Sequence, residues 1–188
     1  SGAGSLPDAI AFSNANPTLL ADIHFDNTFF STQRTITLGG TQLAINGKAN
    51  IIAPAANLVT VSGGNASRVF QVSSGVTATL SGMTITGGNV SGAQDGGGGI
   101  RNDGTLTVTN SIVSGNTASQ FGGGIANNSG STLTVRNSTI SGNTANGNGT
   151  GGGIDTDGPT NIINSTISGN NAPNGTGKGG GIFVLDSS

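Results

Sequence analysis

Apolar and polar residues alternate along this chain in short runs, and the runs recur in register. Leu106 and Val108 sit between Thr105, Thr107 and Thr109, and Leu133 and Val135 sit between Thr132, Thr134 and Arg136. Alternation of this kind is the strand period, with successive side chains pointing to opposite faces. Laid over one another, the runs predict inward columns. Ala78, Leu106, Leu133 and Thr160 form one, Leu80, Val108, Val135 and Ile162 the next, and Ile85, Val113, Ile140 and Ile167 a third on another strand. Between the first two lie outward residues: Thr77, Thr105, Thr132 and Pro159, then Thr79, Thr107, Thr134 and Asn161.

Residues 97–181 restate one sentence: Gly-Gly-Gly-Ile, a turn, Thr-Leu-Thr-Val, Asn-Ser-Thr-Ile-Ser-Gly-Asn-Thr-Ala, and a polar loop. The first isoleucines, Ile100, Ile125, Ile154 and Ile182, stand 25, 29 and 28 residues apart. A repeat of this length buries its apolar face only by stacking on its neighbours. Three strands in each turn of ~27 residues, stacked ~4.8 Å apart, predict an all-β fold, a single-stranded parallel β-helix.

Earlier segments read as degenerate turns of the same object. Ile23 and Phe25 flank His24, Ile36 and Leu38 alternate with Thr35 and Thr37, and Leu43 and Ile45 precede an Asn46-Gly47 turn. Before them, Ser5-Leu6-Pro7-Asp8 has the form of a capping box, and Leu6, Ile10 and Phe12 give a short apolar stripe. A helix over 5–14 is therefore expected, ended by Asn16-Pro17 and covering the open end of the stack. The expected organisation is a cap helix and first strands over 1–48, then β-helix rungs over 49–188 as one continuous domain.

Asparagine recurs more strictly than isoleucine. Asn110, Asn137 and Asn164 are 27 residues apart, and so are Asn116, Asn143 and Asn170. Inward-facing asparagines at a corner can pass amide bonds up and down the axis, and the invariant spacing predicts such ladders for both columns. Asn is also a good turn former, and the two readings are compatible. Asn127 is expected to be a turn residue outside the ladders. Gly115, Gly142 and Gly169 supply backbone freedom at the same corner.

Composition changes this picture little. Charged residues make up 7% and aromatic residues 4%, there is no Cys, and the net charge is −2, so nothing marks a nucleic-acid or anionic-membrane partner. No apolar run approaches the ~20 residues of a membrane span, so membrane insertion is not expected. The chain starts at Ser1, and a processed or excised fragment is the simplest explanation of that start.

Ser-Gly-Gly-Asn-Ala-Ser-Arg-Val-Phe (62–70), Leu-Ser-Gly-Met-Thr-Ile-Thr-Gly-Gly (80–88) and the Gly-Gly-Gly-Ile…Asn-Ser-Thr-Ile-Ser-Gly-Asn-Thr-Ala unit resemble the right-handed parallel β-helix repeats of bacterial surface proteins. Those belong with the pectate-lyase-like folds, and similar repeats occur in autotransporter passengers and polymorphic outer-membrane proteins. The resemblance implies a right-handed β-helix and an extracellular or cell-surface location. It leaves activity open, because the fold hosts adhesins, filaments, lyases and glycosidases alike.

An enzyme of this kind is expected to place its chemistry on the outer face of the Gly-Gly-Gly-Ile strand, which carries Gln71, Arg101, Ala126, Asp155 and Phe183. One Asp and one Arg two turns apart do not make the cluster a lyase needs. Asp103 and Asp157 occupy equivalent positions two turns apart, ~9.6 Å by strand spacing, at the outer limit for an inverting glycosidase. Both precede Gly, the ordinary composition of a turn. Asp155-Thr156-Asp157-Gly158 resembles the opening of a calcium loop, making Asp155 and Asp157 the metal candidates, although the downstream acidic ligand is missing. The Thr-X-Thr rows could present a flat hydroxyl array, as β-solenoid ice-binding proteins do, but Thr also simply favours a solvent-facing strand. His24, the only histidine, offers no triad or zinc site.

Loops 89–96, 117–121, 144–150 and 171–178 lie along one edge and vary in length, with Asp95 and Lys178 as their only charges. A neutral glycan or a protein surface suits them as a contact. The expected function is a non-enzymatic extracellular structural protein without cofactors, with a glycan-binding or glycan-processing module as the alternative. Self-association is the expected partnership. In Gly181-Ile182-Phe183-Val184-Leu185 the outward Arg101 and Asp103, or Asp155 and Asp157, of earlier turns become Phe183 and Leu185, so Phe183, Val184 and Leu185 are the expected interface. Either more chain follows there or a second subunit docks head to tail, and a filament results if the rotation of that contact does not close.

Overall fold

The computed structural model describes residues 4–92, 96–147, 149–174 and 179–185. Asp95 and Lys178 lie outside them. Its strands form three six-stranded parallel sheets that run the length of a β-solenoid of about six turns. The first sheet stacks Ala21–His24, Ala49–Ile52, Thr77–Ser81, Thr105–Thr109, Thr132–Arg136 and Thr160–Ile163. The second runs from Arg34–Thr37 through Val59–Ser62, Thr84–Thr86, Ile112–Ser114 and Thr139–Ser141 to Thr166–Ser168. The third holds the Gly-Gly-Gly-Ile strands: Leu43–Ile45, Phe70–Val72, Ile100–Asn102, Ile125–Asn127, Ile154–Thr156 and Ile182–Val184.

Register follows the sequence columns. Leu106 pairs with Ala78 and Leu133, Val108 with Leu80 and Val135, and Val113 with Ile85 and Ile140. Leu80, Val108, Val135, Ile85, Val113 and Ile140 are all fully buried. A slip of one residue would turn every one of them outward, so the apolar pattern fixes the register. Ala49–Ile52 pairs in parallel on Ala21–His24 as the later turns do, so the first strands already form a turn of the solenoid.

A short fourth ladder, Asn89–Val90, Thr117–Ala118 and Thr144–Ala145, lies within the segments expected to be loops. Ala118 and Ala145 are fully buried there, which ties the start of each variable segment to the core.

The helix runs over Leu6–Ala15. Ser5 caps it: its hydroxyl accepts from the Asp8 amide at 3.4 Å and donates to the Asp8 carboxylate at 2.7 Å. Leu6 and Ile10 are buried against the first turn, whereas Phe12 is 63% exposed, so the expected apolar stripe stops short of it. Polar contacts fix the cap as well. Asn14 donates to the Ala44 carbonyl at 2.8 Å and accepts from the Asn46 and Gly47 amides, and Ser13 donates to the Lys48 carbonyl.

Candidate functional site

The inward polar residues form three axial ladders, one at each corner type. Asn116 and Asn143 are fully buried, and the Asn116 Nδ2 donates to Asn143 Oδ1 at 2.9 Å, as Asn143 Nδ2 does to Asn170 Oδ1. Each acceptor oxygen also takes a backbone amide from the turn before: Gly88 gives to Asn116, Asn116 to Asn143, and Asn143 to Asn170. The Nδ2 groups donate in addition to the carbonyls of Ile85, Val113 and Ile140. One side chain thus satisfies the corner backbone that the turning chain would otherwise leave without partners.

The other asparagine column behaves differently. Asn110, Asn137 and Asn164 each have φ 49° and are exposed, and no described residue hydrogen-bonds their side chains. This corrects the ladder expected for them. The left-handed conformation is one Asn tolerates, and it directs the chain from the first sheet into the second while the amide faces water. Their 27-residue spacing reflects the period of the turn.

A second ladder stands where none was expected. Asn102 and Asn127 are buried on the inner face of the third sheet, two residues after Ile100 and Ile125. Asn102 Nδ2 donates to Asn127 Oδ1 at 2.7 Å, and Asn127 Nδ2 to Thr156 Oγ1 at 2.9 Å. Asn102 closes its own turn as well, accepting from the Gly104 amide and donating to the Gly104 carbonyl, and it also donates to the Thr132 carbonyl of the next turn. The reading of Asn127 as a residue outside the ladders is therefore wrong: Ile-X-Asn places the Asn inward by alternation. Hydroxyls make the third ladder, with Ser138 accepting from the Ser111 amide and Ser165 from the Ser138 amide, both at 3.1 Å.

These geometries rank three substitutions. Asn143→Ala and Asn127→Ala each remove a buried bridging amide and should each cost about 1–3 kcal/mol in urea melts. Asn137→Gly keeps the left-handed corner without a Cβ and should change stability by only a few tenths of a kcal/mol.

The outer face of the third sheet carries a polar network. Arg101 pairs with Asp103 at 3.0 Å, Gln71 donates to Asp103 at 3.2 Å, and Asn128 donates to it at 2.5 Å. Gln42 bonds Gln71 and accepts from Arg68, a residue only 6% exposed, whose guanidinium also donates to the carbonyls of Gly96 and Gly97. Burial pushes the Asp103 carboxyl up, but the hydrogen bonds from Asn128 and Arg101, the Arg101 charge and the Gln71 bond outweigh it. The net effect holds Asp103 below the ordinary value of 3.8. A carboxyl held ionised is suited to accept hydrogen bonds and poorly suited to donate a proton as a general acid. The register also sets Asn128 in the turn between Asp103 and Asp157, where its amide is committed to Asp103.

Farther along this face, Asp155 is 7% exposed and takes a short hydrogen bond from the Thr150 hydroxyl. Asp155 and Asp157 line a cleft of about 260 Å³ with Phe121, Thr150, Phe183 and Leu185. No group of three acidic, histidine or cysteine side chains able to hold a metal ion occurs among the described residues. His24 instead lines a larger recess of about 480 Å³ between the cap helix and the first turn, walled by Leu6, Ile23, Phe25, Phe29 and Phe30. Phe30 stacks edge-on against Phe25 and Phe29, and Arg34 lies 4.1 Å over the Phe29 ring.

At the far end, Ile182–Val184 pairs with Ile154–Thr156, setting Phe183 beside Asp155 on the outer face and Val184 beside Thr156 on the inner one. Val184 is 65% exposed, Leu185 52% and Ile162 37%, although the preceding members of the Val184 and Ile162 columns are buried. No helix among the described residues is long and apolar enough to cross a membrane.

No protein-family model matches this chain, and no curated protein or solved structure matches it. Its class rests on the fold: it is a parallel β-solenoid repeat protein.

Proposed function

We propose that this chain is a non-enzymatic structural rod of the extracellular bacterial surface or of a fibre, built on the β-helix repeat of bacterial surface proteins and stacking end to end. The observation that carries the proposal is the pair of inward columns that surface at one end. Ile162 and Val184 are exposed, while Leu80, Val108 and Val135 in the first column, and Val72, Asn102 and Asn127 in the second, are covered by a following turn. An open column is a seat for another layer of the same geometry. The cap end offers apolar surface to meet it, with Phe12, Leu19, Leu20 and Phe29 between 55% and 63% exposed. Joining unlike ends is a heterologous contact, and one whose rotation does not close makes a filament.

The test is light scattering against concentration, with negative-stain microscopy of the same samples. The wild-type chain should elongate as concentration rises, and Ile162→Asp/Val184→Asp should stay monomeric with an unchanged circular-dichroism spectrum. A wild-type chain that stays monomeric at its highest soluble concentration overturns the proposal.

A second reading, a glycan-binding module, is favoured by one observation: Phe121 and Phe183 share a cleft with the Asp155 and Asp157 carboxylates. Apolar walls with a few polar groups are the usual make-up of a small-molecule site. A glycan array run with and without calcium tests it. Saturable binding that Phe183→Ala abolishes would support this reading, and an empty array would remove it.

A further inference from the structure

The outer face of the first sheet carries a second surface, independent of the ends and of the cleft. Strands Thr77–Ser81, Thr105–Thr109 and Thr132–Arg136 are each five residues long, and each turns its first, third and fifth residues outward. Pairing is in register across all three: Thr105 faces Thr77 and Thr132, Thr107 faces Thr79 and Thr134, and Thr109 faces Ser81 and Arg136. Nine positions therefore form a grid, with rows ~4.8 Å apart across strands and columns ~6.6 Å apart along them. Eight of the nine carry a hydroxyl, and Arg136 occupies one corner.

None of those eight hydroxyls makes a hydrogen bond to a described residue. Some hydroxyls elsewhere are engaged: Thr84 donates to the Ala56 carbonyl, Ser119 to the Gly92 carbonyl, and Ser111 and Ser138 serve the corner ladder. The outer face of the second sheet is also less regular, because Ile112 interrupts its row and the Thr84 hydroxyl is already bonded.

The chemistry of the grid selects its partner. A polyanion finds one cation, at a corner. An apolar surface would strip water from eight hydroxyls without replacing their bonds, which is unfavourable. A soluble sugar finds no aromatic ring to stack on among these nine positions. What remains is a partner that is itself neutral and periodic, with a donor or an acceptor available at every point. Each hydroxyl is one donor with two acceptor lone pairs and a free rotor, which is the bonding capacity a lattice water needs from a neighbour. The β-branched Thr side chains are stiff at χ1, so the array is already ordered before anything meets it. We propose that this face is an ice-binding surface, in which the central row Thr79, Thr107 and Thr134 stands in for lattice waters at the growing front.

The test uses the whole chain in an ice-recrystallisation assay, together with thermal hysteresis and single-crystal ice shaping. Wild type should inhibit recrystallisation and facet the crystal. Thr107→Lys, at the centre of the grid, should lose both effects with an unchanged thermal melt. Ser141→Lys, on the outer face of the second sheet, should keep both. Wild type behaving like an inert protein of the same size overturns the assignment, and so does a Ser141→Lys variant as impaired as Thr107→Lys. Retention on an insoluble polysaccharide, with no effect on ice, overturns it in favour of a crystalline glycan.

Discussion

Val135→Asp should abolish folding, while Thr134→Asp, one residue earlier, should leave the melting curve close to wild type. Val135 is fully buried between the Val108 and Ile162 strands, and Thr134 points from the same strand to the outside. The aspartate at 135 would enter a shaft lined by the buried apolar side chains of Leu106, Val108, Leu133 and Ile140. Burying an unpaired charge is among the few single changes that cost more than ~4–5 kcal/mol, about the whole stability of a marginal domain. Asp at 134 keeps its hydration and costs only strand propensity, a fraction of ~1 kcal/mol. Urea denaturation of the two variants checks this directly. Equal behaviour would place the register one residue out.

The second large effect is expected at Gly124→Ala. The Gly-Gly-Gly-Ile motif and the Asn116–Asn143–Asn170 ladder are two sides of one contact. A Cβ on Gly124 would stand 2.6 Å from the Gly153 carbonyl oxygen and 3.0 Å from Asn143 Cγ. On Gly99 it would meet Asn116 Nδ2 at 2.9 Å, and on Gly153 it would meet Asn170 Nδ2 at 2.8 Å. The obstructing atoms are the backbone of the next turn and a ladder amide, so relief requires the turns to part. Overpacking of a fitted interior costs roughly 1–3 kcal/mol or more, and the lost ladder bonds add to it. Gly142→Ala is the control. Gly142 has φ 62° with no atom within 4 Å of its would-be Cβ, so only the left-handed backbone term of about 1–2 kcal/mol applies. Chemical denaturation should rank Gly124→Ala as the more damaging. The reverse order would mean that backbone conformation, rather than packing on the ladder, explains these glycines.

The inward aliphatic columns were readable because Leu, Ile and Val recur at strand spacing in residues that can only be inside. Polar residues on the same inner face were read less well. Asn102 and Asn127 follow the alternation as faithfully as Ile100 and Ile125, yet Asn-Asp-Gly and Asn-Asn-Ser-Gly also have the composition of a turn. The opposite holds at Asn110, Asn137 and Asn164, whose strict period comes from the length of the turn and whose side chains face water. The fourth ladder leaves little trace in the sequence for a physical reason. Two residues show no alternation, and the small side chains of Ala118 and Ala145 give no apolar signal although they are fully buried. On the outer face, Asp103 and Asp157 were correctly placed in equivalent turns. Asn128 between them, and the Gln71 and Arg101 contacts that hold Asp103 ionised, are side-chain geometry that no spacing rule contains. Arg68 is similar: its carbonyl acceptors are 28 and 29 residues away in sequence.

Hydrogen exchange at the corner amides tests most directly whether buried polar side chains hold the turns together. The Gly88, Asn116 and Asn143 amides donate to asparagine side-chain oxygens of the following turn, outside any strand ladder. If the ladder is part of the cooperative fold, these three amides exchange as slowly as strand amides such as Val108 and Val135. Asn143→Ala then accelerates Asn116, whose acceptor it removes, while Asn143 itself keeps its bond to Asn170. Corner amides that exchange at loop rates in the wild-type protein, and do not respond to Asn143→Ala, would contradict the account.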